Sequence, residues 1–144
     1  MLIKRKKYYF RGMQSIFEML VEFNFSCVLE PTQWAGVTAV TQGEPFVAQS
    51  VQRYQDARDH LMKRLSEFPR VQMHKPEAAF YAWLSIEGMT DSFAFAEQAL
   101  LEAKVGLAPG VAFGPEGEGH IRICFAKSID QLDEAIDRLA PMLK

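Results

Sequence analysis

Residues 105–126 read VGLAPGVAFGPEGEGHIRICFA, and the end of this stretch decides the fold. From His120 onward Ile121, Ile123 and Phe125 fall on one side, Arg122 and Cys124 on the other. Such alternation is the period of a strand with one covered face. The Gly- and Pro-rich run before it reads as a turn. Arg122 is the residue out of pattern, flanked by two isoleucines. A covered guanidinium costs several kcal/mol unless it is paired. A carboxylate gripping both arms of the fork offsets that, at about 1.5–3 kcal/mol for each charge-assisted bond. That carboxylate can come from the chain, with Glu87 and Asp91 as candidates, or from a ligand. Alternatively Arg122 is simply wet, on a half-covered sheet.

Outward from this strand the pattern is mixed. Ser128 and Gln131 form an S-x-x-Q capping box for a last helix that buries Ile129, Leu132, Ile136 and Leu139. Upstream, SFAFAEQALLEAK (92–104) reads as a helix capped by Ser92, burying Phe93, Ala96, Leu100 and Ala103. The aromatic run AAFYAWLSI (78–86) reads as a strand, and VGLA (105–108) as a short one. The clearest helix starts near Pro45 and stops at Pro69. Val47, Val51, Tyr54, Ala57, Leu61, Leu65 and Phe68 recur in it at steps of three or four. Residues 14–23 place Ile16, Phe17, Leu20 and Val21 on one helical face. Residues 32–42 give a weaker helix burying Trp34, Val37 and Val40. Helices mixed with strands near 78–86, 105–108 and 120–126 imply an α+β fold, a small and mostly antiparallel sheet covered by helices.

Composition removes several function classes. The 144 residues are 49% apolar and 24% charged with a net charge of −2, so no global field selects nucleic acid or an anionic membrane. Cys27 and Cys124 are far apart in sequence, which argues against a zinc site or a disulfide scaffold and fits a reducing, cytoplasmic setting. The cluster Lys4, Arg5, Lys6 and Lys7 is not followed by a signal-peptide core, because Glu18 and Glu22 break the apolar stretch. The plain reading of that cluster is a solvated terminus.

The order of motifs resembles the closing segment of class I/II aminotransferases, the fold-type-I enzymes that use pyridoxal phosphate. Leu100-Leu101, Val105, Pro109-Gly110, Phe113-Gly114, Ile121-Arg122-Ile123 and Phe125-Ala126 fall in register with that family's pattern. KPEAAFYAWLSI is similar to its "P-x-GAFY" strand, with Ala78 where glycine is usual. RYQDARDHLMKRL is similar to its "Y-x-x-RRD" helix, with Ala57 replacing the first arginine. The resemblance runs over residues 14–144 and fades in residues 1–13. It implies three parts: a poorly matched basic segment, 1–13; a helical segment, 14–42, that links to or packs on a large domain; and a small domain, 43–144. It further implies that Arg122 binds the α-carboxylate of an amino-acid or 2-oxo-acid substrate.

The same resemblance implies what is missing. The Schiff-base lysine, the acidic partner of the pyridine nitrogen and the phosphate cradle belong to a large domain ahead of the matched region. None of Lys4, Lys6, Lys7, Lys63, Lys75, Lys104, Lys127 and Lys144 lies in the family's Ser-x-x-Lys or Ser-Lys context. No catalytic, cofactor-binding or metal-binding residue is therefore assigned. The chain is expected to be inactive alone and to bind no pyridoxal phosphate stably, whether it arises from a truncated or frameshifted gene or works with a separate large domain. The alternatives are a small amino-acid-binding regulatory module and a remnant without function. Family members are homodimers, and apolar residues expected to face a large domain (Phe17, Leu20, Phe23, Phe25 and Trp34) make self-association the expectation here.

Overall fold

A computed structural model describes residues 2–25 and 28–144, with the side chains of 13–24 and 28–144. The side chains of Lys4, Arg5, Lys6, Lys7 and Phe25, together with Cys27, lie outside the described residues. The chain divides into two compact units, residues 1–47 and 48–144.

The first unit holds two helices and the opening turn of a third. Helix α1 spans Leu2–Phe25, much longer than the 14–23 expected from its apolar spacing. Helix α2 covers Glu30–Gln42 and opens with Pro31 in its first turn, where a missing N–H is harmless. The Thr38 and Thr41 hydroxyls donate to the Trp34 and Val37 carbonyls at 3.1 and 2.8 Å, which makes threonine tolerable inside this helix. Trp34, Val37 and Val40 were expected to be buried and are all exposed; α2 buries no residue. Phe17, Leu20 and Phe23 of α1 are exposed as well. Apolar spacing marks a face that gains from cover, and within this unit that cover is lacking.

The second unit is a sheet with helices on one face. Helix α3, Glu44–Leu65, enters it from the first unit. Glu44 in its first turn and Lys63 and Arg64 in its last suit the helix dipole. It buries Ala57, Leu61 and Leu65, while Val47 and Val51, expected to be buried, are exposed. Strand β1, Val71–Met73, carries no sequence signal long enough to read. Strand β2 is Tyr81–Ile86, shorter than the expected 78–86 because Ala79 has φ +63°, outside the extended range. Helix α4, Ser92–Gln98, continues as a π turn over Ala99–Ala103. The small residues Ser92, Ala96, Ala99 and Ala103 face inward, whereas Phe93 and Leu100, expected inside, are exposed. Strand β3 is the pair Ala108–Pro109, later than the expected 105–108, and β4 is His120–Cys124. Helix α5, Ile129–Leu143, begins with the capping box read from Ser128 and Gln131. It buries Leu132, Ile136, Leu139 and Leu143, leaving Ile129 at the edge.

The strands lie in the order β1-β2-β4-β3, each pair antiparallel. Ala82, Leu84 and Ile86 of β2 and Ile121 and Ile123 of β4 join Leu61, Phe125, Ile136 and Leu139 in one core cluster. Fully burying each of the large side chains stabilises by about 1.5–3 kcal/mol. This is the α+β architecture expected from the sequence. The other face of the sheet, within residues 48–144, has no α-helix packed on it.

Candidate functional site: the uncovered face of the sheet

Alternation places Tyr81 and Trp83 of β2 and His120, Arg122 and Cys124 of β4 on the uncovered face. Their neighbours Ala82, Leu84, Ile121 and Ile123 go inward. Arg122 sits mid-strand, paired in register with Trp83 on one side and Ala108 on the other. Its guanidinium carbon lies 4.2 Å from the centre of the Tyr81 ring and 4.4 Å from that of Phe113. Trp83 meets Phe113 edge-on at 5.5 Å and 80°, and stacks on His120 at 5.4 Å and 14°. Trp83 is 38% exposed and Phe113 50%, so this aromatic group is reachable from solvent.

Among the described residues Arg122 makes no ion pair; the cross-element pairs use other groups. Of the two internal candidates, the Asp91 carboxylate accepts from the Ala94 amide at 2.9 Å and caps α4. Glu87 contributes its carbonyl to Arg70, at 2.6 Å from Nη2. The covered guanidinium considered from sequence is thus half-buried on an open face, and no internal carboxylate neutralises it.

The turn that brings Phe113 over Arg122 is tightly tied. Gly110–Phe113 and Pro115–Gly117 are successive 3-10 turns joined by Gly114 at φ +119°, a backbone setting that suits glycine. Gly110 and Gly117 are both buried against each other. Ser92, fully buried, accepts from the Val111 amide through Oγ at 3.2 Å. Glu118 accepts from the Ser92 and Gly119 amides at 2.6 and 3.0 Å; the Gly119 bond first, then the Ser92 bond, holds its carboxyl below the usual range. The sequence pointed to Arg122 and to a turn ahead of its strand. It gave no sign that Tyr81, Trp83, Phe113 and His120 gather there, although the period-2 spacing of Tyr81 and Trp83 carried part of that signal.

Pyridoxal phosphate does not fit the donor set of this face. The four strands contain no lysine and no acidic residue. Lys75 is paired with Asp59 at 2.9 Å, and Lys104 turns back to the Leu101 carbonyl at 2.8 Å. Among the described residues no group of three or more His, Cys, Asp or Glu could hold a metal ion. No described helix is long and apolar enough to cross a membrane.

An antiparallel sheet covered by α-helices on one face, with a lone arginine among aromatic rings on the other, defines a small α+β domain. The family model for aminotransferase class I and II matches residues 14–139, and the chain belongs to that family. It is 38% identical over 138 residues to an aspartate aminotransferase of Pyrococcus abyssi (strain GE5 / Orsay), covering 90% of this chain and 34% of the relative. It is 36% identical over 137 residues to aromatic-amino-acid aminotransferase 2 of Thermococcus litoralis, again covering 90% and 34%. The solved structure of an alanine aminotransferase from Pyrococcus furiosus superposes with a TM-score of 0.79 at 29% identity, covering 90% of this chain and 33% of that one. The chain thus spans about a third of the length of the curated relatives it matches. The family's chemistry depends on pyridoxal phosphate.

Proposed function

We propose that Arg122 binds the α-carboxylate of an amino acid or its 2-oxo acid, and that the chain supplies the substrate-binding small domain, residues 43–144, of a pyridoxal-phosphate-dependent aminotransferase. The observation that carries this is a mid-strand guanidinium on an uncovered face with no acidic partner among the described residues. A planar fork with its N–H edge unspent matches a carboxylate bidentately. Family membership supports the same reading. In this proposal residues 14–42 pack on a large domain, and the chain alone performs no transamination, since none of its lysines lies in the family's Ser-x-x-Lys or Ser-Lys context. The names of the relatives span aspartate, aromatic and LL-diaminopimelate enzymes, so the amino donor is set by residues beyond Arg122.

The test is a calorimetric or NMR titration with a 2-oxo acid, beside borohydride reduction of the chain mixed with pyridoxal phosphate and an amino acid. Saturable binding that vanishes in Arg122→Gln, without a specifically labelled lysine, is the expected result. Binding that survives Arg122→Gln overturns the site, and one specifically labelled lysine overturns the inactivity. A regulatory amino-acid-binding module uses the same arginine. It is the better reading if the binding is strong and addition of a class I/II large domain produces no activity.

A further inference from the structure

We infer that Tyr81 and Phe113 are positioning residues for Arg122: their rings hold the guanidinium so that its N–H edge faces an incoming carboxylate. This rests on the carboxylate reading above and deepens it. A guanidinium is flat, with all five donors near its plane. A ring against its face attracts the charge through the π cloud and consumes no donor. Two rings do this at once here, with the guanidinium carbon 4.2 Å from the centre of Tyr81 and 4.4 Å from that of Phe113. An arginine on an open face otherwise spreads over many rotamers, and ordering it on binding weakens the ligand's grip.

Each ring has its own support. Tyr81 stands in β2 opposite Cys124, two residues along from the Trp83–Arg122 pair, so it reaches Arg122 diagonally across the strands. Phe113 projects from the turn fixed by the Gly110–Gly117 contact and the Ser92–Val111 hydrogen bond. Its other side meets Trp83, which is stacked in turn on His120. Core packing does not explain this assembly, because Tyr81 and Trp83 are each 38% exposed and Phe113 50%. Three large aromatic side chains left half in water around a single cation point to a role for that cation's orientation.

The experiment uses the isotope-labelled 144-residue chain and follows the Arg122 Nε–H signal, assigned by its loss in Arg122→Gln. Ring contact shifts this proton upfield. Pyruvate and pyruvamide serve as probes, identical but for the charge. The expected result is a pyruvate response at Arg122 with none to pyruvamide. Affinity falls about fivefold in Phe113→Leu and in Tyr81→Leu, while Phe113→Tyr and Tyr81→Phe retain it. The two leucine variants change different elements, and unaltered far-UV circular dichroism confirms the fold of each. If both leucine variants bind pyruvate as the parent does, the positioning role is overturned while the carboxylate site stands. If the parent shows no pyruvate response at Arg122, the carboxylate site falls and the positioning role with it.

Discussion

Gly110 and Gly117 meet backbone to backbone: a Cβ on Gly110 would lie 1.8 Å from the Gly117 carbonyl oxygen, and one on Gly117 would lie 2.1 Å from that of Gly110. The obstacle in both cases is main chain, which cannot swing aside as a side chain can. Gly117→Ala is therefore expected to force the turn apart, costing about 2–3 kcal/mol. Because the same turn delivers Phe113, the Arg122 Nε–H signal should also move. Urea unfolding and one NMR spectrum check this. A variant with parental stability and an unmoved signal would contradict the account.

Ala79 presents the opposite case, a side chain where glycine suits better. It holds φ +63° and is exposed, so its methyl group gives little packing in return. A left-handed setting costs an L-residue about 1–2 kcal/mol, and glycine gives back about 0.5–1 kcal/mol through the flexibility of the unfolded chain. Ala79→Gly is expected to stabilise the protein by about 0.5–1 kcal/mol in urea titrations. Destabilisation would show that the methyl group has a contact role.

Three carboxylates tie acid stability to named contacts. The Asp59 carboxyl is lowered from 3.8 to about 2 by its hydrogen bond to Arg58 first and Lys75 second. Asp133 is held down by His60 first, then by Arg64, linking α3 to α5. Glu118 is lowered by the Gly119 and Ser92 amides. A carboxyl whose folded pKa lies below its unfolded value contributes stability that is complete above the unfolded value and is lost as pH falls through the folded one. The contribution should be level above about pH 5 and decline between about pH 4 and 2. Melting temperatures across this range should show the decline, and Asp59→Asn should make it shallower. A flat profile down to about pH 3 would remove these contacts from the account.

Leu61 on α3 and Ile136 on α5 are both fully buried in the shared core. Truncating either to alanine is expected to cost about 2–5 kcal/mol, by lost transfer energy and a residual cavity. The midpoint of chemical unfolding should shift accordingly. Leu100→Ala, on an exposed position of the π turn, should shift it far less.

The exposed Phe17, Phe23 and Trp34 lead us to expect concentration-dependent association of the chain. Sedimentation velocity should show the average mass rising with concentration, and Phe17→Ser combined with Phe23→Ser should suppress the rise. A monodisperse parental monomer at all concentrations would refute it.

Much of the second unit was legible because its signals are local and periodic. Ile121, Ile123 and Phe125 declared the inner face of β4, and Ser128 with Gln131 declared the start of α5. The three residues of β1 are too few to show a period, so that strand exists only through its pairing with β2. On α4 and its π turn the expected Ala96 and Ala103 are buried, whereas Phe93 and Leu100 are exposed, because size alone does not place a side chain inside. Its buried positions are Ser92, Ala96, Ala99 and Ala103, small side chains that suit close packing on the sheet. Trp34, Val37 and Val40 show that apolar spacing announces a need for cover without supplying it. Arg122 was visible as a charged residue on the outer phase of an alternating strand, flanked by two isoleucines. Phe113 was not visible as its neighbour, because a turn residue has no period and its place depends on the glycine contact.

The pairing of Trp83 with Arg122 across β2 and β4 also bears on how the chain assembles. Were β4 to slip by one residue, Arg122 would be driven into the apolar interior and Ile121 and Ile123 into water. An interior charge without a counterion is among the most costly errors a small sheet can make. The guanidinium thus weights the energy balance toward the native alignment of β4 on β2 and against the slipped one.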